Sequence, residues 1–334
     1  MKIRIVGQAG EPTFTFNNNN PWAKFKNNLI EKKDVIISQK FGENIDVLIC
    51  HGYSMQAVRE AKKSKISKNR MFLVLWEPPI VHPKLHSNKY LSNFGHIYAP
   101  SKEWAKNYKA VYFKWPVGKI TANSSKNNFN SRNKNAVIIQ GNKVNLFKGE
   151  NYSLRRTVLF KSLRLSNPIM LYGIGWKKSP VKQMVKAVLN SVLHFKYGLS
   201  KKGLKYLIFK YPNALGAAKN KFTTLKKYKI SVVIENHNSY VSEKIFDSLN
   251  SGCVTIYIGA KLEDYGLNKE IAIQVDANSQ SILTKIDETM NLNDKEILKL
   301  RKKQDKYMRV NFKQWHNELV FENLAKDIRS KIIK

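Results

Sequence analysis

The run ENHNSYVSEK, residues 235–244, sets a glutamate, two asparagines, a histidine, a tyrosine and a Glu-Lys pair between two apolar stretches. The preceding YKISVVI has the continuous apolar pattern of a buried parallel strand, so Glu235 and Asn236 stand at its carboxyl end, where open α/β sheets receive ligands. His237 to Ser239 read as a turn, and Asn238 or Ser239 can cap a helix that starts at Tyr240. Val241, Ile245 and Leu249 recur at helical spacing, Ser251-Gly252 ends the helix, and CVTIYIG forms the next strand. Tyr240, Ser242, Glu243 and Lys244 thus fall in a first helical turn. Free N–H groups and a lysine there can hold a phosphate. A Lys–phosphate contact contributes about 4 kcal/mol at an effective dielectric near 20, before desolvation. Glu243 can accept from sugar or ribose hydroxyls, and Tyr240 can stack or donate. The same residues also fit an ordinary capped helix, with Glu243 favouring the dipole and Lys244 solvated.

The elements that must position this run alternate along the chain. Residues 2–7, 34–39, 46–52, 71–79, 96–101 and 110–117 read as strands, with a helix at 54–64 among the connections. Residues 119–135 are almost devoid of apolar side chains. The pattern then restarts with strands at 136–144 and 168–176, a helix at 151–166, a strand at 271–275, and helices at 279–290 and 294–330. The expected organisation is an N-terminal Rossmann-like domain over 1–120, a linker or long loop over 121–135, and a C-terminal Rossmann-like domain over 136–334. This is an α/β fold of two Rossmann-like domains facing a cleft.

The chain has 334 residues, 43% of them hydrophobic, which suits about two packed domains. Cys50 and Cys253 have no metal-ligand spacing and form no disulfide framework, so a reducing, cytoplasmic compartment is expected. The N-terminus lacks the apolar core of a signal peptide, and no apolar run approaches the roughly 18 residues of a membrane span. A net charge of +35 favours anionic partners. From Trp176 to Lys229 there are fourteen lysines and no Asp, Glu or Arg. In that insert Val181, Met184, Val185, Val188, Leu189, Val192 and Leu193 share a helical face, and LKYLIFKY, residues 204–211, mixes apolar and basic residues similarly. A basic amphipathic segment of this kind reads as attachment to an anionic membrane surface, on the inner face, or as a helix packed on its own domain with solvated lysines.

The stretch from Tyr228 to Gly259 resembles the signature of the family ten glycosyltransferases, the α-1,3/1,4-fucosyltransferases. Tyr228-Lys229, Glu235-Asn236, Tyr240-Val241, Glu243-Lys244, Gly252 and Gly259 match its pattern. Ser242 stands for its Thr, Ile234 for its Phe and Thr255 for its Pro, and His237-Asn238 has the look of an insertion. The likeness is faint through the rest of the second domain and nearly absent before residue 70. It implies a GT-B type, inverting glycosyltransferase that moves L-fucose from GDP-β-L-fucose to a glycan hydroxyl, such as one of a surface polysaccharide or lipid-linked glycan. By position, Tyr240, Glu243 and Lys244 correspond to donor-binding residues, with Glu235 and Asn236 beside them. An arginine at the start of the second domain's first helix contacts the diphosphate in that family; Arg155 or Arg156 stands there, Arg155 being favoured. The family's base is a Glu after a strand of the first domain, which Glu77 in LVLWEPP matches. His51 and His82 are rival bases in similar loops.

The chain has no Asp-x-Asp, so neither a metal nor another cofactor is expected beyond the donor substrate, and Arg, Lys and a helix terminus would neutralise the leaving diphosphate. Two alternatives stand beside this reading. One is a related GT-B enzyme using another nucleotide sugar. The other is a basic nucleic-acid-binding protein, a partner class not otherwise expected, with KNYKAVYFKW at 106–115 as its candidate surface.

Overall fold

The computed structural model describes residues 1–7, 21–30, 36–38, 42–118, 129–144, 149–176, 210–333 and, between the last two stretches, residues 181, 185, 188 and 189. The chain divides into two compact units, one of Met1–Lys119 with Lys313–Lys334 and one of Ile120–Phe312.

The first unit carries a parallel sheet of β1 (Lys2–Val6), β2 (Ile36–Ser38), β3 (Val47–Cys50), β4 (Met71–Val74), β5 (His96–Ala99) and β6 (Val111–Tyr112), in the order β2-β1-β3-β4-β5-β6. The connections include helices α1 (Pro21–Ile30), α2 (Met55–Lys63), α3 (Asn88–Leu91) and α4 (Lys102–Tyr108). Helix α2 starts where Ser54 Oγ accepts from Ala57 N at 3.2 Å, and it buries Ala57, Val58 and Ala61. The fourth strand is shorter than the run 71–79: it leaves the ladder before Pro78-Pro79, which have no N–H to give.

The second unit repeats the arrangement. Strands β7 (Asn133–Ile139), β8 (Met170–Tyr172), β9 (Tyr228–Ile234), β10 (Val254–Ile258) and β11 (Ile273–Gln274) form a parallel sheet ordered β11-β10-β9-β7-β8. Around it lie α5 (Tyr152–Ser162), α6 (Lys221–Leu225), α7 (Glu243–Asn250), α8 (Ser279–Asn291) and α9 (Asp294–Phe312). Every residue of β9 and of β10 is buried, as expected of central parallel strands. In each sheet the chain starts at an inner strand, steps once to one side, and then builds to the other. The reversal falls between β1 and β3 in the first unit and between β7 and β9 in the second. At such a switch point the connections diverge and leave a crevice at the carboxyl ends.

Three boundaries differ from the sequence expectation. The linker assigned to 121–135 gives way to a 3-10 turn at Phe129–Ser131 and to β7 at Asn133, because Asn133 pairs with Tyr228 of β9. The helix expected over 294–330 is two, α9 and α10 (Asn317–Ile333), separated at Trp315, whose carbonyl accepts from Val117 N at 2.8 Å. The C-terminal domain therefore does not run to 334, since residues 313–334 belong to the first unit. Val320, Phe321, Leu324, Ala325, Ile328 and Ile332 of α10 lie in one apolar cluster with Ile3, Ile5, Phe25, Leu29, Val47 and Phe72. Among the described residues no helix is long and apolar enough to cross a membrane.

Candidate functional site

The switch point of the second sheet gathers the polar residues of three segments. Strand β7 ends at Ile139, five residues short of the end expected from the run AVIIQGNKV at 144, which leaves Gln140, Gly141 and Asn142 in the loop at its carboxyl end. Gln140 Nε2 donates to Ile234 O at 2.6 Å, and Asn142 Nδ2 donates to Gly175 O at 3.2 Å. Beside them, Glu235 and Asn236 follow β9, and α5 brings Arg155 and Arg156.

Glu235 is wholly buried and caps α7 from a distance. Its carboxylate accepts from Ser242 N at 2.9 Å, from Ser242 Oγ at 2.8 Å and from Lys244 Nζ at 3.0 Å. The helix accordingly begins at Glu243, with Ser242 as N-cap, rather than at Tyr240 with Asn238 or Ser239 capping. Tyr240 precedes the helix and is buried, its ring held inside the unit. Lys244 keeps a partly exposed ammonium, and Glu243 is half-buried. Burial works to raise the Glu243 carboxyl, but Lys244, Lys221 and its own backbone N–H outweigh it and hold it below the usual carboxylate range. Gly259 makes this packing feasible. A Cβ there would meet Glu235 Cγ at 2.8 Å and run into the Tyr257 hydroxyl. Gly259→Ala should therefore cost about 1–3 kcal/mol through overpacking, read as a lower midpoint in urea at unchanged slope.

The two arginines have different occupations. Arg155 is bonded to the strand end through Nη2, which donates to Ile234 O at 3.1 Å and to Asn236 Oδ1 at 3.3 Å, and its guanidinium lies 5.3 Å from the Tyr152 ring. Burial pulls its pKa down to about 10, still cationic at neutral pH. Arg156 spends one nitrogen, Nη1, on Lys143 O at 2.6 Å, while its Nε and Nη2 are buried with no hydrogen-bond partner. The nearby Glu150 carboxylate accepts from Ser153 N at 2.9 Å and caps α5. Burial pushes the Glu150 carboxyl upward against the pull of Ser153 and Arg156. Gln140 Oε1, Asn142 Oδ1 and Arg155 Nε are likewise buried and unpartnered. Such groups are costly to bury unmatched, so these five atoms near the ends of β7 and β9 make this a candidate site for a polar ligand.

His237 and Asn238, which look inserted, fasten the two loops of this site. Glu150 bridges antiparallel to His237, Asn151 N donates to Asn236 O at 3.0 Å, and Asn151 Nδ2 donates to Asn238 Oδ1 at 2.6 Å. His237 Nδ1 accepts from Ser239 N at 3.1 Å, and burial lowers its pKa, so the ring is neutral. Gly149, at φ +80°, admits the ring, since a Cβ there would stand 2.8 Å from His237 Nε2. Thr255 is equally accounted for: its N–H donates to Gln304 Oε1 at 2.8 Å, which proline could not do. Sequence reasoning missed Gln140, Asn142 and Glu150. The polar QGN after an apolar run and the Glu-Asn before a helix were the available signals.

The first unit holds Glu77, half-buried in the loop after β4. Buried His86 fixes that loop. Its Nε2–H donates to Glu77 O at 2.8 Å, which leaves Nδ1 to accept from the Tyr108 hydroxyl at 3.0 Å. Trp76 turns into the core, edge-on to Phe113 at 5.0 Å and Trp115 at 5.4 Å. Of the rival bases, His82 is exposed, and burial pushes His51 down to about 3, a weak base. The run 106–115 does not form a basic face with free aromatics, because Phe113 belongs to the core and Trp115 packs against it.

No protein-family profile matches the chain, and a comparison with curated proteins finds no match. Solved structures match over nearly the whole chain. Anabaena Alr3699/HepE, solved in complex with UDP and glucose, has a TM-score of 0.59 at 11% identity, covering 99% of this chain and 100% of that one. An alpha1,3-fucosyltransferase has a TM-score of 0.56 at 13% identity, covering 100% and 91%. An alpha,alpha-trehalose-phosphate synthase (UDP-forming) from Burkholderia xenovorans has a TM-score of 0.54 at 9% identity, covering 95% and 79%. Two parallel sheets with the same strand order, and neighbours of this kind, give the chain the two-domain, Rossmann-like GT-B fold.

Proposed function

We propose that the chain is an inverting, metal-independent glycosyltransferase that moves L-fucose from GDP-β-L-fucose to a hydroxyl of a glycan. The observation that carries a nucleotide-sugar ligand is the set of buried, unpartnered polar atoms at the β7/β9 switch point, two of them on the cationic Arg156. The motif from Tyr228 to Gly259 carries the choice of fucose. In this reading Arg156, rather than Arg155, meets the diphosphate, together with Lys244. Arg155, Glu235 and Asn236 hold the frame, and Glu243 accepts from donor hydroxyls. Tyr240, being buried, supports the turn that presents them.

The acceptor oxygen attacks the anomeric carbon as the bond to the diphosphate breaks. Glu77 takes the acceptor proton, and GDP leaves with the electron pair, its charge met by Arg156, Lys244 and the helix N-termini. Glu77→Gln should cut transfer from GDP-fucose by roughly 10²–10⁴-fold, with GDP affinity unchanged. Unchanged turnover in that variant, followed as GDP release, would remove Glu77 from the mechanism.

A second reading, a transferase using a UDP-sugar, is favoured by the likeness to a structure holding UDP and glucose at a TM-score of 0.59, against 0.56 for the fucosyltransferase.

A further inference from the structure

Large exposed apolar side chains are concentrated in one part of the second unit. Ile174, Val181, Val185, Val188, Leu189, Leu215 and Phe222 are all exposed, the residues from 181 to 189 by 42–58%. Val181, Val185, Val188 and Leu189 are helical, and their spacing puts them within an arc of about 100° on one face. Ile174 and Leu215 flank the insert where it leaves and rejoins the sheet. Leu215 N donates to Leu171 O at 2.8 Å, and Gly173 N donates to Gly216 O at 2.7 Å. Both contacts lie at β8, the edge strand. The sequence from 176 to 229 has fourteen lysines and no acidic residue. Of those described, Lys221 and Lys229 pair with Asp247 and Asp294, while Lys210, Lys219, Lys226 and Lys227 are exposed.

We infer that this edge of the second unit docks on an anionic lipid bilayer, the helix stripe entering the headgroup boundary while Lys210, Lys219, Lys226 and Lys227 meet the lipid phosphates. An apolar face alone would suit many partners. Its pairing with exposed lysines, Lys210, Lys219, Lys226 and Lys227, in a sequence stretch that has no acidic residue selects an anionic surface, because a protein partner of mixed charge would leave lysines unmatched. Membrane attachment here is independent of which sugar the chain transfers. The remaining residues of the amphipathic pattern, among them Met184, Val192, Leu193 and 204–209, lie outside the described residues.

The test is sedimentation of the full chain with vesicles of phosphatidylcholine alone and of phosphatidylcholine with 30 mol% phosphatidylglycerol (about the anionic content that gives a strong surface potential). The expected result is binding at least tenfold stronger to the anionic vesicles, weakened by salt. Val185→Gln with Leu189→Gln should lose tenfold or more of that binding at an unchanged melting temperature. Val181→Gln with Val188→Gln serves as an independent pair should the first melt early. Equal binding to both vesicles, no binding, or full binding by both pairs would overturn the inference. So would a stripe-dependent dimer in light scattering with no vesicle binding.

Discussion

Arg156→Ala should weaken GDP binding by roughly 10- to 100-fold, the worth of a hydrogen bond to a charged group, and cut transfer by about 10²–10³. Its melting temperature should fall less than that of Arg155→Ala, because the one bond given up, to Lys143 O, is offset by relief of two unmatched nitrogens. The wild-type guanidinium is 1% exposed and buries two N–H-bearing nitrogens without partners, a standing cost that its removal relieves. Glu150, which it neighbours, keeps its bonds to Ser153. Arg155→Ala should behave in the opposite way. Its loss strips donors from Ile234 O and Asn236 Oδ1, worth about 2 kcal/mol together, and should lower the melting temperature by about 4–8 °C. The pair of variants separates a ligand contact from a strut by two readouts, isothermal titration with GDP and thermal melting. Equal loss of GDP affinity in both would return the assignment to Arg155.

A chain ending at Phe312 should lose the first unit and keep the second folded. The α10 helix contributes Val320, Phe321, Leu324, Ile328 and Ile332 to the first unit's core, each with 5% exposure or less. At about 1.5–3 kcal/mol per large apolar side chain, their burial contributes roughly 8–15 kcal/mol. That equals the entire net stability of an ordinary domain. Proteolysis should then digest residues before about Lys119 and spare a fragment that still binds GDP. Cleavage of both units at equal rates would show that the two do not fold separately.

The sheets were legible in the sequence because central parallel strands are buried on both faces and print as continuous apolar runs, as YKISVVI does for β9. The allegiance of α10 was not. A periodic apolar face says that a helix is buried, not against which core, and the break at Trp315 depends on a backbone bond from Val117, almost two hundred residues away along the chain. Lys244 was legible as a cation in the first turn of a helix. Glu235 was legible as a polar residue at a strand end, but its partners were not, because Ser242 and Lys244 lie across a turn whose path the sequence does not specify. Arg155 and Arg156 sit about 100° apart on one helix, and both are buried, so neighbouring letters cannot tell which is spent on the strand end. His237-Asn238 could be seen as extra but not as useful, since the loop it fastens, Gly149 to Asn151, comes from another strand.

The central claim is that the β7/β9 switch point holds a nucleoside diphosphate sugar, and a thermal-melting panel tests it most directly. GDP-fucose, GDP-mannose, UDP-glucose and dTDP-glucose would each be added at a hundredfold excess over a working Kd, which stabilises a one-site complex by about 2.7 kcal/mol. GDP-fucose is predicted to raise the melting temperature by several degrees in the parent and by about half of that or less in Arg156→Ala. No shift with any nucleotide sugar, or the same shift in both proteins, would contradict it.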